Sequence, residues 1–378
     1  MPCHNRGYDL AKTLRLYDQQ DIEQPFELIA VDDGSTDNTY QVLSSYRPER
    51  YVLRVERLSE NRGPAAARNH AIALACAPLI LFVGDDILPE SWLLRGHLTA
   101  HRRYRNENIA ILGKVVWSPQ LPVNTLMKHI DGIGAQQFSY HYFQDGREYD
   151  FRHFYTANIS IKRSFLLSEP KWFDTDFRFA AFEDAELAYR LSRHGLRIIY
   201  ASMLVGYHTH YHNIFTFSKR QYLAGQMAHL FAKKHPSVRR SVIGRGWLPR
   251  LLYWWLLGKV ASYPKKGADW LEAEWLHLLS AFEWKSHPMI DQLYLSVLGY
   301  FYAKGIIEGT LKGKPIAEQV IDVYAHRLLA SLLVRFVRES VRLGEPLPDH
   351  HGAWVLHRLS QWGKVGAQFN CVPTLRSP

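Results

Sequence analysis

The chain has 378 residues, of which 47% are hydrophobic, so it is long enough for two domains or for one α/β domain with a helical extension. Its three widely spaced cysteines, Cys3, Cys76 and Cys371, exclude a disulfide framework and a cysteine-rich zinc motif, and they favour a reducing compartment. The net charge of +10 arises from one segment, residues 213–268, which excludes a chain that is basic throughout.

Short apolar strands alternate with helical patterns over the first part of the chain. Strands are predicted at residues 26–32, 51–55, 79–83 and 109–116. Helices are predicted at residues 8–20, 37–46, 64–76 and 89–103. This order of elements predicts an α/β fold with a doubly wound, mostly parallel sheet.

The pattern changes along the second part of the chain. Residues 116–154 form a long stretch rich in aromatic side chains that is typical of irregular structure, and a helix at 184–194 and a strand at 196–201 are predicted after it. From about residue 215 the pattern is helical. We therefore predict an α/β domain at residues 1–213 and a helical, basic region at residues 214–378.

Two adjacent carboxylates, Asp32 and Asp33, follow the apolar run directly. Ligands of open α/β sheets bind at the carboxyl ends of strands, and two acids there are costly unless a donor, a cation or water satisfies them. One carboxylate could accept from a nucleobase or ribose while the other holds the turn. The alternative is that both are turn and cap residues, since Asp-Gly-Ser is common in turns.

A second motif covers residues 60–69, Glu-Asn-Arg-Gly-Pro-Ala-Ala-Ala-Arg-Asn. Gly63 and the small alanines allow the N-terminus of a helix to approach a ligand closely, and such an end favours phosphate. Arg68 could pair with a diphosphate oxygen or with a carboxylate of the site. Alternatively, the segment is simply an alanine-rich helix packed on the sheet.

Another apolar strand, residues 79–83, is also followed by two acids, Asp85 and Asp86. Mg²⁺ and Mn²⁺ take carboxylate oxygens and keep positions open for phosphate. A solvated turn would explain either acid alone, but two strand-end acid pairs in one alternating unit favour a metal that bridges a diphosphate.

Asp184 follows Glu183 at the start of the predicted helix 184–194. The helix dipole favours an anion at this position. A carboxylate there could act as a general base on an acceptor hydroxyl, or it could be the N-cap of the helix.

Three histidines, His208, His210 and His212, occur at every second position. In an extended segment they share one face. One of them, or all three, could complete a metal site with Asp86, and the alternative is a set of pH-sensitive surface residues.

Taken together, these segments resemble family-2 glycosyltransferases of the GT-A fold. The resemblance covers roughly residues 1–215. It rests on the following segments, in this order: Pro2-Cys3-His4-Asn5-Arg6, Val31-Asp32-Asp33-Gly34-Ser35, Asn61-Arg62-Gly63 through Ala67-Arg68-Asn69, Gly84-Asp85-Asp86, Ala157-Asn158-Ile159-Ser160, Phe173-Asp174, Glu183-Asp184 through Tyr189-Arg190-Leu191, and His208-Thr209-His210. Each motif alone is weak, but the set is specific.

The resemblance implies an inverting, metal-dependent transfer of one sugar from a nucleotide-diphosphate sugar, a UDP-sugar, to a hydroxyl of a glycan or a lipid-linked acceptor. It implies Mn²⁺ or Mg²⁺ as cofactor, with Asp86 and His208 as metal ligands, and it implies a catalytic base at Asp184 with Glu183 beside it. The nucleotide-binding residues that it implies are Pro2, Asp32, Asp33, Asn61, Gly63, Arg68 and Asp85. The Gln-x-x-Arg-Trp signature of processive synthases does not occur, which favours transfer of a single sugar.

Two features depart from the family pattern. Gly84 stands where the acid motif of the family begins with aspartate, so Asp85 would have to contact the ribose. The apolar strand that family members have before the Pro-x-x-Asn segment is truncated or missing, because the chain begins at Met1-Pro2. We expect a native form with about five to eight more residues, mostly apolar, which is the length of an ordinary strand.

Residues 213–268 contain eleven Lys and Arg residues and no Asp or Glu, so this segment carries a charge of +11. Because the net charge of the whole chain is +10, the residues outside the segment sum to −1. The basic residues of the segment are Lys219, Arg220, Lys233, Lys234, Arg239, Arg240, Arg245, Arg250, Lys259, Lys265 and Lys266. Residues 247–260 mix basic residues with Trp254, Trp255 and leucines, which is typical of an interfacial helix on an anionic membrane. We therefore predict a cytoplasmic protein with membrane contact through residues 214–268; the alternative is a core helix with solvated charges.

Two other functions are less consistent with the sequence than glycosyl transfer. A sugar-phosphate nucleotidyltransferase of similar fold would need a glycine-rich loop with Arg and Lys after its first strand, and residues 4–8 contain one glycine. A non-catalytic basic binding protein would leave both acid pairs and Asp184 unexplained. Acids near the site would repel a nucleic-acid backbone, so no nucleic-acid partner is expected.

Overall fold

The computed structural model of the protein describes residues 1–133, 136–244, 247–260 and 267–344. Two compact units divide the chain, with the boundary between His212 and Asn213. Residues 345–378 of the predicted helical region, together with Arg245, Lys265, Lys266 and Cys371, lie outside the described residues.

The elements of the first unit follow the predicted alternation. Its strands are β1 (Pro2–Cys3), β2 (Glu27–Asp33), β3 (Val52–Leu58), β4 (Leu79–Val83), β5 (Ile87–Pro89), β6 (Ile109–Trp117), β7 (Glu148–Tyr149), β8 (Asn158–Lys162) and β9 (Arg197–His208). Its helices are α1 (Leu10–Asp18), α2 (Thr39–Ser45), α3 (Pro64–Leu74), α4 (Leu93–Arg103), α5 (Thr125–Ile133), α6 (Arg163–Leu166) and α7 (Glu183–Ser192). Every helix and strand predicted between residues 8 and 116 is present, with ends shifted by at most four residues.

Strands β1, β2 and β3 form a parallel sheet with β2 in the centre. All residues of β2 after Glu27 are buried, as expected for an apolar strand covered on both faces. Strand β1 is two residues long and pairs Pro2 with Val31 and Cys3 with Asp32. The first strand, which was expected to be truncated or missing, is therefore present as a two-residue strand.

The second sheet has the order β4-β8-β6-β9-β5, and β7 also pairs with β9. Strands β6 and β9 are parallel, whereas β8 is antiparallel to β4 and β6, and β5 is antiparallel to β9. The predicted α/β class is confirmed, and the parallel pairs lie in the first sheet and between β6 and β9. The sequence pattern missed β5, β7 and β8, and it missed helix α5 within the stretch predicted to be irregular.

The pairing of β5 with β9 brings two distant segments together. Ile87, the first residue of β5, lies opposite His208, the last residue of β9. The N–H of Thr209 donates to the carbonyl oxygen of Asp86 at 2.9 Å. The turn between β4 and β5 is therefore held directly against the histidine segment.

The second unit is helical over its described residues. Its helices are α8 (Ile214–Lys234), α9 (Arg239–Val242), α10 (Trp247–Val260), α11 (Ala268–Ala281), α12 (Ile290–Thr310), α13 (Ile316–Ala325) and α14 (Ser331–Leu343). Helix α8 begins with a capping box, in which Asn213 accepts the N–H of Thr216 at 2.9 Å. Among the helices that the structure describes, none has the length and apolar character needed to cross a membrane.

Helices α8 and α12 are in backbone contact at two glycines. A Cβ on Gly225 would lie 2.0 Å from the carbonyl oxygen of Tyr302, and a Cβ on Gly305 would lie 2.0 Å from that of Tyr222. Neither oxygen can move without shifting its helix, so the close approach requires glycine at both positions. Gly299, also on α12, differs because a Cβ there would meet nothing within 4 Å.

We expect Gly225→Ala to lower the free energy of unfolding by about 2 kcal/mol, because the new methyl group forces the two helices apart. Gly299→Ala is the matched control, and alanine there should be neutral or stabilise the helix by up to about 1 kcal/mol. Thermal unfolding followed by circular dichroism measures both. Equal melting temperatures for the two variants would contradict the close packing.

Candidate active site

Asp86 lies between an arginine and a histidine from two other segments. Its Oδ2 accepts from Arg6 Nη2 at 2.9 Å and lies 3.3 Å from His208 Nε2. Arg6 Nε is 3.6 Å from Oδ1 of Asp85. The imidazole of His208 stacks on Trp117, with ring centroids 5.2 Å apart, and this contact fixes the orientation of its ring.

The two neighbouring acids of this turn have opposite pKa shifts. Burial raises the pKa of Asp85 to about 7, and the charge of Asp86 adds to the effect. Burial also acts against ionisation of Asp86, but the adjacent His208 and the Arg6 guanidinium outweigh it and hold the pKa of Asp86 well below its usual range. At neutral pH Asp86 is therefore ionised, whereas Asp85 is only partly ionised.

Asp32 is fully buried at the end of β2. Its Oδ1 accepts the N–H of Ser35 at 3.1 Å, and its Oδ2 lies 3.1 Å from Nε of Arg57. Pro2 lies in the neighbouring strand β1, where it pairs with Val31, the residue before Asp32. The carboxylate is thus compensated from within the protein, by the turn after β2 and by a guanidinium on β3.

Asp33 closes the loop that leads into α3. Its two carboxylate oxygens accept the N–H groups of Arg62 and Gly63, at 2.8 Å each. Gly63 has a φ of 87°, in the left-handed region that favours glycine. Burial raises the pKa of Asp33, although both N–H groups act against the shift. The two N–H groups directly before this helix therefore bind a carboxylate of the protein.

His4 connects the two acid pairs, although no role for it was predicted from the sequence. Its N–H donates to Oδ2 of Asp85 at 3.3 Å, and its Nδ1 lies 2.9 Å from the carbonyl oxygen of Asp33. The side-chain amide of Asn61 lies 3.0 Å from its Nε2. The position of His4 directly after Pro2-Cys3 in the family motif was the signal available in the sequence.

Arg68 forms a buried ion pair with Glu183, with Nη1 and Oε1 2.8 Å apart. The guanidinium also lies over the ring of Phe173, 5.4 Å from its centroid. Arg68 Nε and Glu183 Oε2 make no hydrogen bond within the part of the chain that the structure describes. Each partner therefore keeps one polar atom available for a further contact.

Asp184 is the second residue of α7, and its Oδ1 accepts the N–H of Ala185 at 2.7 Å. The alternative that Asp184 is the N-cap is wrong, because Phe182 occupies that position with a φ of 66°. Burial raises the pKa of Asp184 to about 7, and the charge of Glu183 raises it further, while Arg68 acts in the opposite direction. This carboxylate can therefore both accept and release a proton near neutral pH.

The three histidine rings lie together, with centroids 4.6 to 6.2 Å apart, but they have different partners. His208 faces Asp86, whereas Nδ1 of His210 lies 2.8 Å from Nη2 of Arg6. His212 is buried, and its ring lies 4.6 Å from that of His210. Among the described residues, no group of three or more His, Cys, Asp or Glu side chains is arranged to hold a metal ion. The described residues therefore do not form a metal site from all three histidines.

Asp86 and His208 nevertheless fit a divalent cation that substrate phosphates help to bind. Their ligand atoms are 3.3 Å apart, close enough for one ion to contact both. Mg²⁺ and similar cations often take only one or two protein ligands and complete their coordination with phosphate oxygens and water.

Part of the first unit matches a known protein family. Residues 1–168 match the family model described as glycosyl transferase family 2. These residues therefore form a family-2 glycosyltransferase domain, and the resemblance predicted from the motifs is confirmed.

Two curated relatives show how far the similarity extends. The chain is 28% identical to validoxylamine A glucosyltransferase of Streptomyces hygroscopicus subsp. limoneus over 220 residues, which are 52% of this chain and 48% of that protein. It is 35% identical over 118 residues to poly(ribitol-phosphate) beta-glucosyltransferase of Bacillus spizizenii, which covers 30% of this chain and 18% of that protein. The chain thus spans half the length or less of these relatives.

One solved structure with similarity to the chain is S. aureus TarS 1–349 in complex with UDP-GlcNAc. The TM-score is 0.46 at 19% sequence identity, over 92% of this chain and 91% of that chain.

Proposed function

We propose that the protein is an inverting, metal-dependent glycosyltransferase that moves one sugar from a UDP-sugar to a hydroxyl of a glycan or lipid-linked acceptor. The observation that carries the proposal is the 3.3 Å approach of Asp86 and His208, from segments 122 residues apart, in a chain whose residues 1–168 match the family-2 glycosyltransferase model. The two relatives described above are glucosyltransferases by name, which supports a hexose as the transferred sugar.

The nucleotide is proposed to bind at the ends of β1, β2 and β4. Asp33 is fully occupied by backbone N–H groups, so its role is to hold the loop that carries Asn61 and Gly63. Asp32, beside Pro2, is the carboxylate proposed to contact the nucleobase. Asp85, with a pKa near 7, can donate a hydrogen bond to the ribose or accept one from it, which is the contact that the family acid motif makes.

Asp86 and His208 are the proposed ligands of Mn²⁺ or Mg²⁺. When bound, the cation would neutralise the diphosphate that leaves. Arg68 holds Glu183 through Nη1, and its Nε is the donor proposed to face a diphosphate oxygen. The protein would thus surround the leaving group with cations on two sides.

Asp184 is the proposed general base. It would remove the proton of the acceptor hydroxyl while that oxygen bonds to the anomeric carbon and the bond from this carbon to the diphosphate oxygen breaks. A single displacement of this kind inverts the anomeric centre. A base with a pKa near 7 accepts a proton readily and is still ionised in a large fraction of molecules at neutral pH.

Both alternative functions are less well supported. A nucleotidyltransferase would need a glycine-rich phosphate loop after β1, but here His4 and Arg6 fill that loop and contact acids. A non-catalytic basic binding protein would have no use for the raised pKa of Asp184 beside a buried ion pair.

Release of UDP from a UDP-sugar in the presence of Mn²⁺ tests the proposed function. Asp86→Asn should lower kcat by about 100-fold or more, because the diphosphate loses its cation. Asp21→Asn is the control, since Asp21 is exposed and pairs with Arg95 away from the site. Unchanged turnover in Asp86→Asn, with a panel of UDP-sugars that the wild type accepts, would refute the metal site.

The pH dependence of kcat/KM tests the proposed base. Because Asp184 must be ionised to accept a proton, activity should fall as the pH drops through about 7. Glu183→Gln removes a negative charge that raises this pKa, so the acidic limb should move to lower pH. Asp85→Asn is the control, since the pKa of Asp85 is also about 7. A limb that moves only in Asp85→Asn would rule out Asp184 as the titrating base.

We also propose that the second unit contacts an anionic membrane surface through helix α10. Leu252, Tyr253 and Leu256 are about half exposed on this helix, and Arg250 and Lys259 are exposed on it as well. Lys259 lies over the ring of Trp255, 4.4 Å from its centroid. An exposed apolar face with basic residues beside it suits the interface of a bilayer that contains anionic lipids.

Flotation with vesicles tests the membrane contact. The protein should float with vesicles that contain phosphatidylglycerol at low salt, and high salt should release it because the basic contribution is screened. Leu252→Ser/Leu256→Ser should reduce binding, whereas Leu295→Ser, an exposed leucine on α12, should not. Equal flotation of both variants, or none by the wild type, would remove this proposal.

A further inference from the structure

Arg6 occupies the centre of the proposed cation site. Its Nη2 donates to Asp86 Oδ2 at 2.9 Å and lies 2.8 Å from Nδ1 of His210, while its Nε is 3.6 Å from Asp85 Oδ1. The side chain is only 24% exposed. One guanidinium therefore contacts both acids of the turn and one of the three histidines.

The backbone that carries Arg6 is firmly attached to the loop after β2. The N–H of Arg6 donates to Thr39 Oγ1 at 2.7 Å, and the N–H of Gly7 donates to Asp37 Oδ2 at 3.1 Å. Gly7 lies so close to Asn38 that a Cβ would be 1.8 Å from its side-chain oxygen. The backbone position of Arg6 is therefore fixed, and its guanidinium is the part that can change partners.

A divalent cation and this guanidinium need the same carboxylate oxygen. Oδ2 of Asp86 is the atom that faces His208, and it is also the atom to which Arg6 donates. A cation in contact with this oxygen would lie next to the Arg6 guanidinium and would be repelled by its positive charge. Binding of either cation at Oδ2 therefore weakens binding of the other.

We propose that Arg6 is an internal cation that competes with the divalent metal for Asp86 and thereby sets the metal affinity of the site. His210 holds the guanidinium against Asp86, and Asp85 gives the displaced side chain a carboxylate to stay beside. The inference rests on the proposed function in taking Asp86 and His208 as the metal ligands. In this proposal Arg6 determines how tightly the site binds its divalent cation.

Calorimetric titration of the full chain with Mn²⁺, in the absence of nucleotide, tests the competition. Arg6→Met keeps most of the side-chain length and removes the charge, and it should bind Mn²⁺ about tenfold more tightly than the wild type. His210→Ala should give a smaller increase, because Arg6 loses one partner. Arg6→Lys should stay near the wild type, because the positive charge is retained.

Arg95→Met is the matched control, since Arg95 pairs with Asp21 on an exposed surface and its loss should leave Mn²⁺ affinity unchanged. Asp86→Asn in the Arg6→Met background should abolish the gain and so locate the ion. Circular dichroism confirms that each variant is folded. The proposal would be overturned if folded Arg6→Met bound Mn²⁺ no more tightly than the wild type, or showed no measurable Mn²⁺ binding.

The experiment separates this inference from the proposed function. Tighter Mn²⁺ binding by Arg6→Met in a protein that transfers no sugar from any UDP-sugar would refute glycosyl transfer and leave the competition standing. Full transferase activity together with unchanged Mn²⁺ affinity would refute the competition alone.

Discussion

Burial of carboxylates at the ends of β2 and β4 is the constraint on which the rest of the first unit depends. An acid that loses its hydration must gain donors or cations from the protein. Asp33 gains them from the backbone before α3, and Asp86 gains them from Arg6 and His208. Because these donors come from distant parts of the chain, compensation of the acids also holds the loops after β1, β4 and β9 together.

The two acid pairs are each divided into unlike members. Asp33 is saturated by N–H groups and closes a loop, while Asp32 is compensated by one N–H and the half-exposed Arg57. In the second pair Asp86 is held ionised, and its charge helps to raise the pKa of its neighbour, Asp85. Ionising two adjacent buried carboxylates costs free energy because their charges repel each other. Unlike environments reduce this cost by favouring ionisation of one carboxylate of each pair over the other.

The part of the fold that follows from local pattern was predictable. Apolar runs that end in acids identified β2 and β4, and the family motifs indicated that Asp86 and His208 belong to one site. Strand β8 was missed because Asn158 and Ser160 interrupt its apolar pattern. Both are buried, and both are hydrogen-bonded to His97, about 60 residues away. No local signal shows that such polar residues will be satisfied in a core.

The same limit explains why Arg6 and His4 were missed. Each is an ordinary polar residue in a loop, and its role exists only once β1 lies beside β2 and the β4–β5 turn lies beside β9. The residues predicted correctly as neighbours are those that a known family pattern links. The contact of the Arg6 guanidinium with Asp86, the proposed metal ligand, becomes visible only through distances.

Glu183 and Asp184, the two acids proposed for catalysis, also lie in unlike environments. Glu183 is neutralised by Arg68 in a buried ion pair, whereas Asp184 has the N–H of its neighbour and no cation in direct contact among the described residues. The first turn of α7 therefore holds one carboxylate in a buried ion pair and one whose pKa is raised to about 7. Removing Arg68 would leave Glu183 as an unpaired buried charge, which would favour its protonation. The ion pair is thus what distinguishes Glu183 from Asp184, the residue proposed as the general base.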